Sequence, residues 1–322
     1  AGKLLCGGFE LTSKPWGMDG IPDDFEFDQL NEDWDQFEPL MQGALDRVPA
    51  LETAGIRQLF VGPESFTPDN RYYLGEAPEV RRYFVAAGFN SVGIASSAGS
   101  GKAVAEWIVA GEPTMDLWDV DIRRAFSFQN NTRYLHDRTV EILGVLYDHH
   151  WPYRQPVTAR GMRRSAVHDK LAAAGACFGV TACWERPNWF APAGVEPVYE
   201  YSWGRQNWFD YSAAEHLAVR NQVGLFDQTS FAKFMLEGAD AENVLQRLCG
   251  GDMAVAPGRV VYTQLLNQHG GIEADLTVTR LAEDRYMIVT SAASAAHDFD
   301  WVGRNMAADA RAVLTDVTST LG

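Results

Sequence analysis

The spacing of apolar positions changes twice along the chain, near residues 126 and 196. In the first stretch, short apolar runs alternate with Gly/Pro-rich turns. From about Trp34 to Leu45, apolar side chains recur at helical intervals among acids, which predicts an acidic amphipathic helix. "RQLFVGPESFTPDN" and "RRYFVAAGFNSVGIASS" read as strand-and-turn segments. Ala103, Val104, Trp107 and Ile108 then fall at helical spacing, so a helix is expected over 103–110, with Gly111 and Pro113 as its stop.

The middle stretch reads as a helical connector. "NTRYLHDRTVEILGVLYD" carries Leu135, Val140, Leu143 and Leu146 close to a helical period. "MRRSAVHDKLAAAGACFGV" follows, and then the aromatic-dense "WERPNWFAP", whose composition suits a packing surface between domains better than a ligand stack. After Pro197 the pattern shifts to a mixture. "SAAEHLAVRNQVGLFDQTS" predicts a helix ending near 221–224, "FAKFMLEG" a strand and "DAENVLQRLC" a second helix. "RVVYTQLLNQHGGIEADLTVTRLAEDRYMIVTS" reads as strand, Gly-Gly hairpin, strand, turn, strand. With no initiator Met, and with "ARAVLTDVTSTLG" ending on an apparent strand, the chain reads as an internal piece of a longer polypeptide.

Composition narrows the classes. The chain has 322 residues, enough for about two domains, with 46% hydrophobic and 22% charged residues, as in ordinary globular proteins. No apolar run is long enough for a membrane-spanning helix, and the first residues lack the pattern of a signal peptide. A formal charge of −16, from 27 basic and 43 acidic residues, argues against a nucleic-acid partner, which requires a basic footprint. Ten acids and no Lys or Arg lie between Trp16 and Asp46, the pattern of a solvated face. The four cysteines, Cys6, Cys177, Cys183 and Cys249, are too scattered for a disulfide framework or a zinc site and read as core thiols in a reducing compartment. His149 and His150 are adjacent and point different ways, so no metal site is expected.

"GIASSAGSGKAVAEW" looks at first like a phosphate-binding loop. Aligned on Gly101-Lys102, however, the first required glycine falls on Ser96 and the required hydroxyl on Ala103, so two of the four fixed positions fail and the motif argues weakly for a nucleotide triphosphate. What remains is a small-residue turn running into a helix. The residues alone leave two readings: a tight turn with glycines for steric reasons, or a helix N-terminus offering N–H groups to an anion or an electron-rich carbonyl.

Four stretches together resemble the dimethylglycine and sarcosine dehydrogenase family: "GPESFTPDNRYYLGEAPEVRRYFVAAGFNSVGIASSAGSGKAVAEWIVAGEPTMDLWDVDIRR", "WERPNWFAP", "YSWGRQNWFDYSAAEHLAVRN" and "VYTQLLNQHGGIEADLTVTRL". The resemblance spans essentially the whole chain. It implies an α/β and α+β multidomain protein: residues 1–126 as the C-terminal part of a D-amino-acid-oxidase-like FAD domain, 127–196 as a connector, and 197–322 as the first part of an aminomethyltransferase-like, folate-binding domain. The implied cofactors are FAD and tetrahydrofolate. The family's G-x-G-x-x-G and flavin-linking histidine have no counterpart upstream of Gly93 in this sequence.

The resemblance places Asn90, Ser91, Val92, Gly93 and Ile94 along the flavin ring, with the following helix aimed at its N1/C2=O edge, where negative charge develops on reduction. In the folate half it points to Asp275 as the catalytic carboxylate, with Tyr262 lining the pocket. Ser291 stands where relatives often carry a folate-contacting asparagine. Strand alternation puts Asp275 on the face of Glu273 and Thr277, opposite Ala274 and Leu276. The implied activity is oxidation of an N-methyl amino acid such as dimethylglycine or sarcosine, the one-carbon unit passing to tetrahydrofolate to give 5,10-methylenetetrahydrofolate. Oxygen or an electron-transfer flavoprotein would take the electrons, in a bacterial cytoplasm or the mitochondrial matrix. Two alternatives stand beside it. One is a regulatory protein resembling the regulatory subunit of pyruvate dehydrogenase phosphatase, the other a folate-dependent aminomethyltransferase without oxidase activity.

Overall fold

The computed structural model describes residues 3–321. Two compact units divide it: the residues up to Ile122 together with Phe126–Ala159, and Arg123–Ala125 together with the residues from Arg160 on. Among the described residues no helix is long and apolar enough to cross a membrane.

In the first unit, helix α1 (Trp34–Arg47) is the expected acidic helix. It starts where Asp33 accepts from the Gln36 N–H at 2.9 Å, and it buries none of its residues. Strands β1 (Tyr73–Glu76) and β2 (Phe84–Ala87) pair antiparallel. Helix α2 (Gly93–Ala110) then buries Ser100, Ala103 and Trp107. It ends on Gly111, left-handed at φ 83°, whose N–H reaches the Trp107 carbonyl at 2.8 Å. Helix α3 (Thr132–Tyr147) is capped by the Asn131 side chain and buries Tyr134, Ile142 and Leu143.

Two sequence expectations fail here. The stretch "GIASSAGSG" is the first half of α2, not a turn before it. Each interior glycine costs about 1 kcal/mol of helix propensity, yet burial of Trp107 and Ala103 outweighs that cost. "RQLFVGPESFTPDN" forms no strand. It runs as an irregular segment tied down by single bonds, Leu30 N–H to the Val61 carbonyl (2.8 Å) and Asn90 N–H to the Ser65 carbonyl (3.0 Å).

In the second unit, α4 (His168–Ala173) leads into the antiparallel pair β3 (Ala176–Thr181) and β4 (Trp184–Phe190). Trp189 of "WERPNWFAP" is fully buried beside Cys177 and Ala191. It stacks on Tyr211 of α5 (Phe209–Asn221) at 5.5 Å between ring centroids. The pair is pinned at its mouth by Glu185, which accepts from Arg160 Nε (2.9 Å), Arg160 Nη2 (2.5 Å) and the Gly161 N–H (2.6 Å).

The rest of the unit is a five-stranded antiparallel sheet in the order β6-β7-β8-β5-β9. Its strands are β5 (Ala232–Glu237), β6 (Val260–Leu266), β7 (Ile272–Ala282), β8 (Arg285–Thr290) and β9 (Val313–Asp316). The inner face carries Phe234, Leu236, Leu265, Leu276, Val278 and Ile288. It forms one core with Val244 and Leu245 of α6 (Ala241–Leu248) and Val302 of α7 (Ala295–Asn305). Burial alternates from Ala274 to Val278 of β7, as the sequence pattern predicts, with Ala274 and Leu276 buried and Asp275 exposed between them.

All four cysteines are free. Cys177 and Cys183 are buried as expected, whereas Cys6 is exposed. Burial pushes the Cys249 thiol up to about 12 and raises that of Cys177, which suppresses the thiolate that reacts. A disulfide reagent at neutral pH should therefore label one thiol of the native protein rapidly and the other three only after denaturant is added. Rapid labelling of more than one native thiol would contradict this packing.

Candidate functional site

The stretch that resembles the flavin wall is shaped by two consecutive left-handed residues. Asn90 has φ 48° and Ser91 φ 65°, conformations that favour asparagine among non-glycine residues. Asn90 is buried and locked. Its Oδ1 accepts from the Thr67 N–H at 2.8 Å, and its Nδ2 donates to the Gly88 carbonyl at 2.8 Å. Ser91 donates to the Glu64 carboxylate. This double left-handed turn delivers the chain into α2 with no side chain capping the helix start at Val92. Val92 is exposed at 39%, and Ile94, one residue into the helix, at 99%. The leading N–H groups of α2 thus sit on an open surface beside an exposed apolar side chain.

In the second unit the sequence-predicted pair is brought together. Tyr262 lies on β6 and Asp275 on β7, and the phenol donates to Asp275 Oδ2 at 2.8 Å. That hydrogen bond holds the Tyr262 hydroxyl above its ordinary pKa, because ionising it would place a second negative charge against the carboxylate. Tyr262 is 67% exposed, so the pair stands on the open outer face of the sheet. In Asp275→Asn the Tyr262 hydroxyl should ionise at a lower pH, which a spectrophotometric titration of tyrosinate would read by difference from Tyr262→Phe.

A residue the sequence reading missed completes this arrangement. Gln264 sits directly across from Asp275 in the β6–β7 register and donates Nε2–H to Asp275 Oδ1 at 3.2 Å. Both carboxylate oxygens are therefore held by donors from the neighbouring strand. The turn between the strands is set by Asn267, whose Oδ1 accepts from the His269 N–H (3.0 Å) and the Gly271 N–H (2.8 Å). Gly270 supplies the left-handed position at φ 79°. Ser291 follows the last residue of β8 and accepts from the Ala293 N–H at 3.3 Å. Its hydrogen bonds stay within its own turn, and it does not join the Tyr262–Asp275 pair.

A second polar group, also unforeseen, lies at the start of α7. Asp298, 1% exposed, accepts from Thr290 Oγ1 (2.5 Å) and Ser294 Oγ (2.7 Å) and lies 2.9 Å from His297 Nδ1. The other ring nitrogen of His297 is 3.6 Å from Glu273 Oε2. Sequence spacing gave no sign of this group, because its members come from β7, β8 and α7. Among the described residues no cluster of His, Cys, Asp and Glu could hold a metal ion.

Comparison with known proteins accounts for nearly the whole chain. Three family models match one after another: FAD dependent oxidoreductase over 1–107, FAD dependent oxidoreductase central domain over 110–165, and GCVT N-terminal domain over 167–322. The 4-methylaminobutanoate oxidase (formaldehyde-forming) of Paenarthrobacter nicotinovorans is 46% identical over 290 residues, 90% of this chain and 35% of the relative. The mitochondrial sarcosine dehydrogenase of Mus musculus is 38% identical, over 87% of this chain and 33% of its own length. The chain belongs to the dimethylglycine and sarcosine dehydrogenase family. The first two family matches are to families whose descriptions name FAD as the group they depend on. The mitochondrial pyruvate dehydrogenase phosphatase regulatory subunit of Mus musculus is also similar, 35% identical over 98% of this chain and 37% of its own length. The chain spans about a third of the length of these relatives.

Both candidate surfaces suit the family's cofactors. The uncapped start of α2 offers N–H donors to an electron-rich ring carbonyl, and Ile94 offers apolar contact to a flat ring. The outer face of β6 and β7 offers a carboxylate that accepts from an amine N–H, with an aromatic ring beside it, a suitable pairing for a pterin amine.

Proposed function

We propose that this chain is part of an enzyme that oxidatively demethylates an N-methyl amino acid and passes the one-carbon unit to tetrahydrofolate. The observation that carries the reading is the succession, in one chain, of an FAD-dependent oxidoreductase part and a GCVT part, with Asp275 and Tyr262 paired on the open face of the latter. Residues 1–126, 127–196 and 197–322 serve as flavin wall, connector and folate-binding part. Sarcosine, dimethylglycine and 4-methylaminobutanoate are the candidate substrates, each a small N-methylated amino acid. Oxygen or an electron-transfer flavoprotein accepts the electrons, in a bacterial cytoplasm or the mitochondrial matrix.

FAD, when bound, supplies the two-electron acceptor for the N-methyl carbon, and tetrahydrofolate supplies the two amines that take up the resulting methylene group. The chain's own residues do the rest. Asn90 and Ser91 fix the turn that presents Val92, Gly93 and Ile94, and the α2 N–H groups stabilise negative charge on the ring edge they face. Asp275, held by Tyr262, orients the folate amine and accepts the proton released when the methylene bridge closes, a role that typically contributes about 10²–10⁴-fold. Ser291 is the third residue of the proposed folate-facing set.

Anaerobic titration of the protein expressed from its complete gene tests the reading. Bleaching of the flavin absorbance by one of the three N-methyl amino acids is the expected result and names the substrate. Re-oxidation by air would separate an oxidase from a dehydrogenase. A protein whose flavin stays oxidised with all three would favour the regulatory reading that the match over 98% of the chain also supports.

A further inference from the structure

Gln264 is the direct cross-strand neighbour of Asp275, and it acquires that place through a bulge. Pairing runs regularly from Val260↔Thr279 to Leu265↔Ala274 and then shifts, Leu266 pairing with Ile272, so that Glu273 is the extra residue. Had the pairing continued from the turn without that extra residue, Asp275 would face Thr263, a buried position. The bulge therefore brings an amide, and not Thr263, opposite Asp275.

We propose that Gln264 is a positioning residue for Asp275 in the one-carbon transfer step, holding the carboxylate in one orientation through both of its protonation states. The proposal rests on the folate reading above and extends it. The terminal torsion of an aspartate is soft and roughly two-fold, so an exposed Asp275 would otherwise sample many orientations. Tyr262 fixes Oδ2 and Gln264 fixes Oδ1, and together they set the plane of the group. The two donors differ in kind. The phenol can donate or ionise, whereas a carboxamide does not titrate and carries both an N–H and a C=O. Gln264 donates to the carboxylate. After Asp275 has taken up a proton, rotation of the amide offers Oε1 to the new O–H. The proton comes from the folate amine and leaves to solvent from this exposed face, so the cycle balances without a further reactant.

On the same face of the sheet as Asp275, Lys233 of β5 lies across from Val289 and donates its ammonium to the Gln228, Thr229 and Leu321 carbonyls. Glu273, two residues away on the same strand, is already engaged by Asn267 Nδ2 at 2.9 Å and lies 3.6 Å from His297 Nε2. The same face of β8 offers the uncharged Met287 and Val289. A carboxylate at position 264 would thus be the nearest like charge to Asp275, and it would raise the pH at which Asp275 ionises.

The test uses the protein from its complete gene and follows 5,10-methylenetetrahydrofolate formation in wild type, Gln264→Leu, Gln264→Glu and Asp275→Asn, with circular dichroism as the check on folding. Gln264→Leu is expected to lower kcat about tenfold, a fraction of the whole acid–base contribution, and to change KM for tetrahydrofolate less than about twofold. Gln264→Glu, nearly isosteric, is expected to move the acid limb of the pH profile upward by about one unit. If Asp275→Asn abolishes transfer while both Gln264 variants keep the wild-type kcat and pH profile, the positioning role is wrong and the folate reading stands. If wild type forms no product, or Asp275→Asn forms it at the wild-type rate, the folate reading falls and the positioning role with it.

Discussion

Asp275→Asn should redirect the one-carbon unit from tetrahydrofolate to water. The asparagine side chain fills the same space on β7 but cannot accept a proton at neutral pH, so closure of the methylene bridge loses its base. The expected loss in 5,10-methylenetetrahydrofolate formation is about 10²–10⁴-fold. The iminium product of oxidation then hydrolyses, and formaldehyde appears at a rate set by the oxidative step. Measuring both products in one reaction decides the matter. A variant that still delivers most of its one-carbon units to the folate would remove Asp275 from the chemistry. The geometry makes the variant interpretable. Asp275 is exposed, its neighbours Ala274 and Leu276 carry the packing on the opposite face, and the hydrogen bonds lost are those to Tyr262 and Gln264.

Gly75→Ala should be the most damaging single methyl group in the first unit. Gly75 lies in β1 at φ 108°, a conformation L side chains rarely adopt. A Cβ added there would lie 2.2 Å from the ring of Trp107, the most deeply buried side chain of α2. Two costs add. The backbone strain is about 1–2 kcal/mol, and overpacking a filled site is about 1–3 kcal/mol. We expect a loss of about 3–4 kcal/mol in the unit's stability, read as a fall in the denaturant midpoint. Because Trp107 anchors α2, the same substitution should loosen the turn at Asn90 and Ser91 and weaken flavin retention. A variant with an unchanged midpoint would show that the strand–helix contact is not as close as described.

The sequence by itself determined most of the second unit's sheet. Alternation in "GIEADLTVTRL" separates residues with apolar partners below from residues with solvent above, and a strand side chain has only those two directions to take. Hence the outward face of Asp275, the Gly-Gly hairpin and the helices over 209–221 and 241–248 are legible in the chain alone. So was the family, because long motifs in fixed order carry information that no single residue does.

Other features depended on partners distant in the chain. The small residues of "GIASSAGSG" carry weak local preferences, and the helix they form is decided by Trp107 closing against Gly75. "RQLFVGPESFTPDN" looks like a strand by composition, but a strand requires a partner, and the fold gives this segment isolated bonds instead. The strongest case is Gln264. Nothing in its local sequence marks it, since cross-strand pairing is a matter of register, and one bulged residue, Glu273, sets that register for the whole hairpin. Local pattern settles which face a side chain takes. Which side chain lies opposite it is a property of the tertiary structure alone, because hydrogen-bond register is fixed by packing and turn geometry that span many residues of chain.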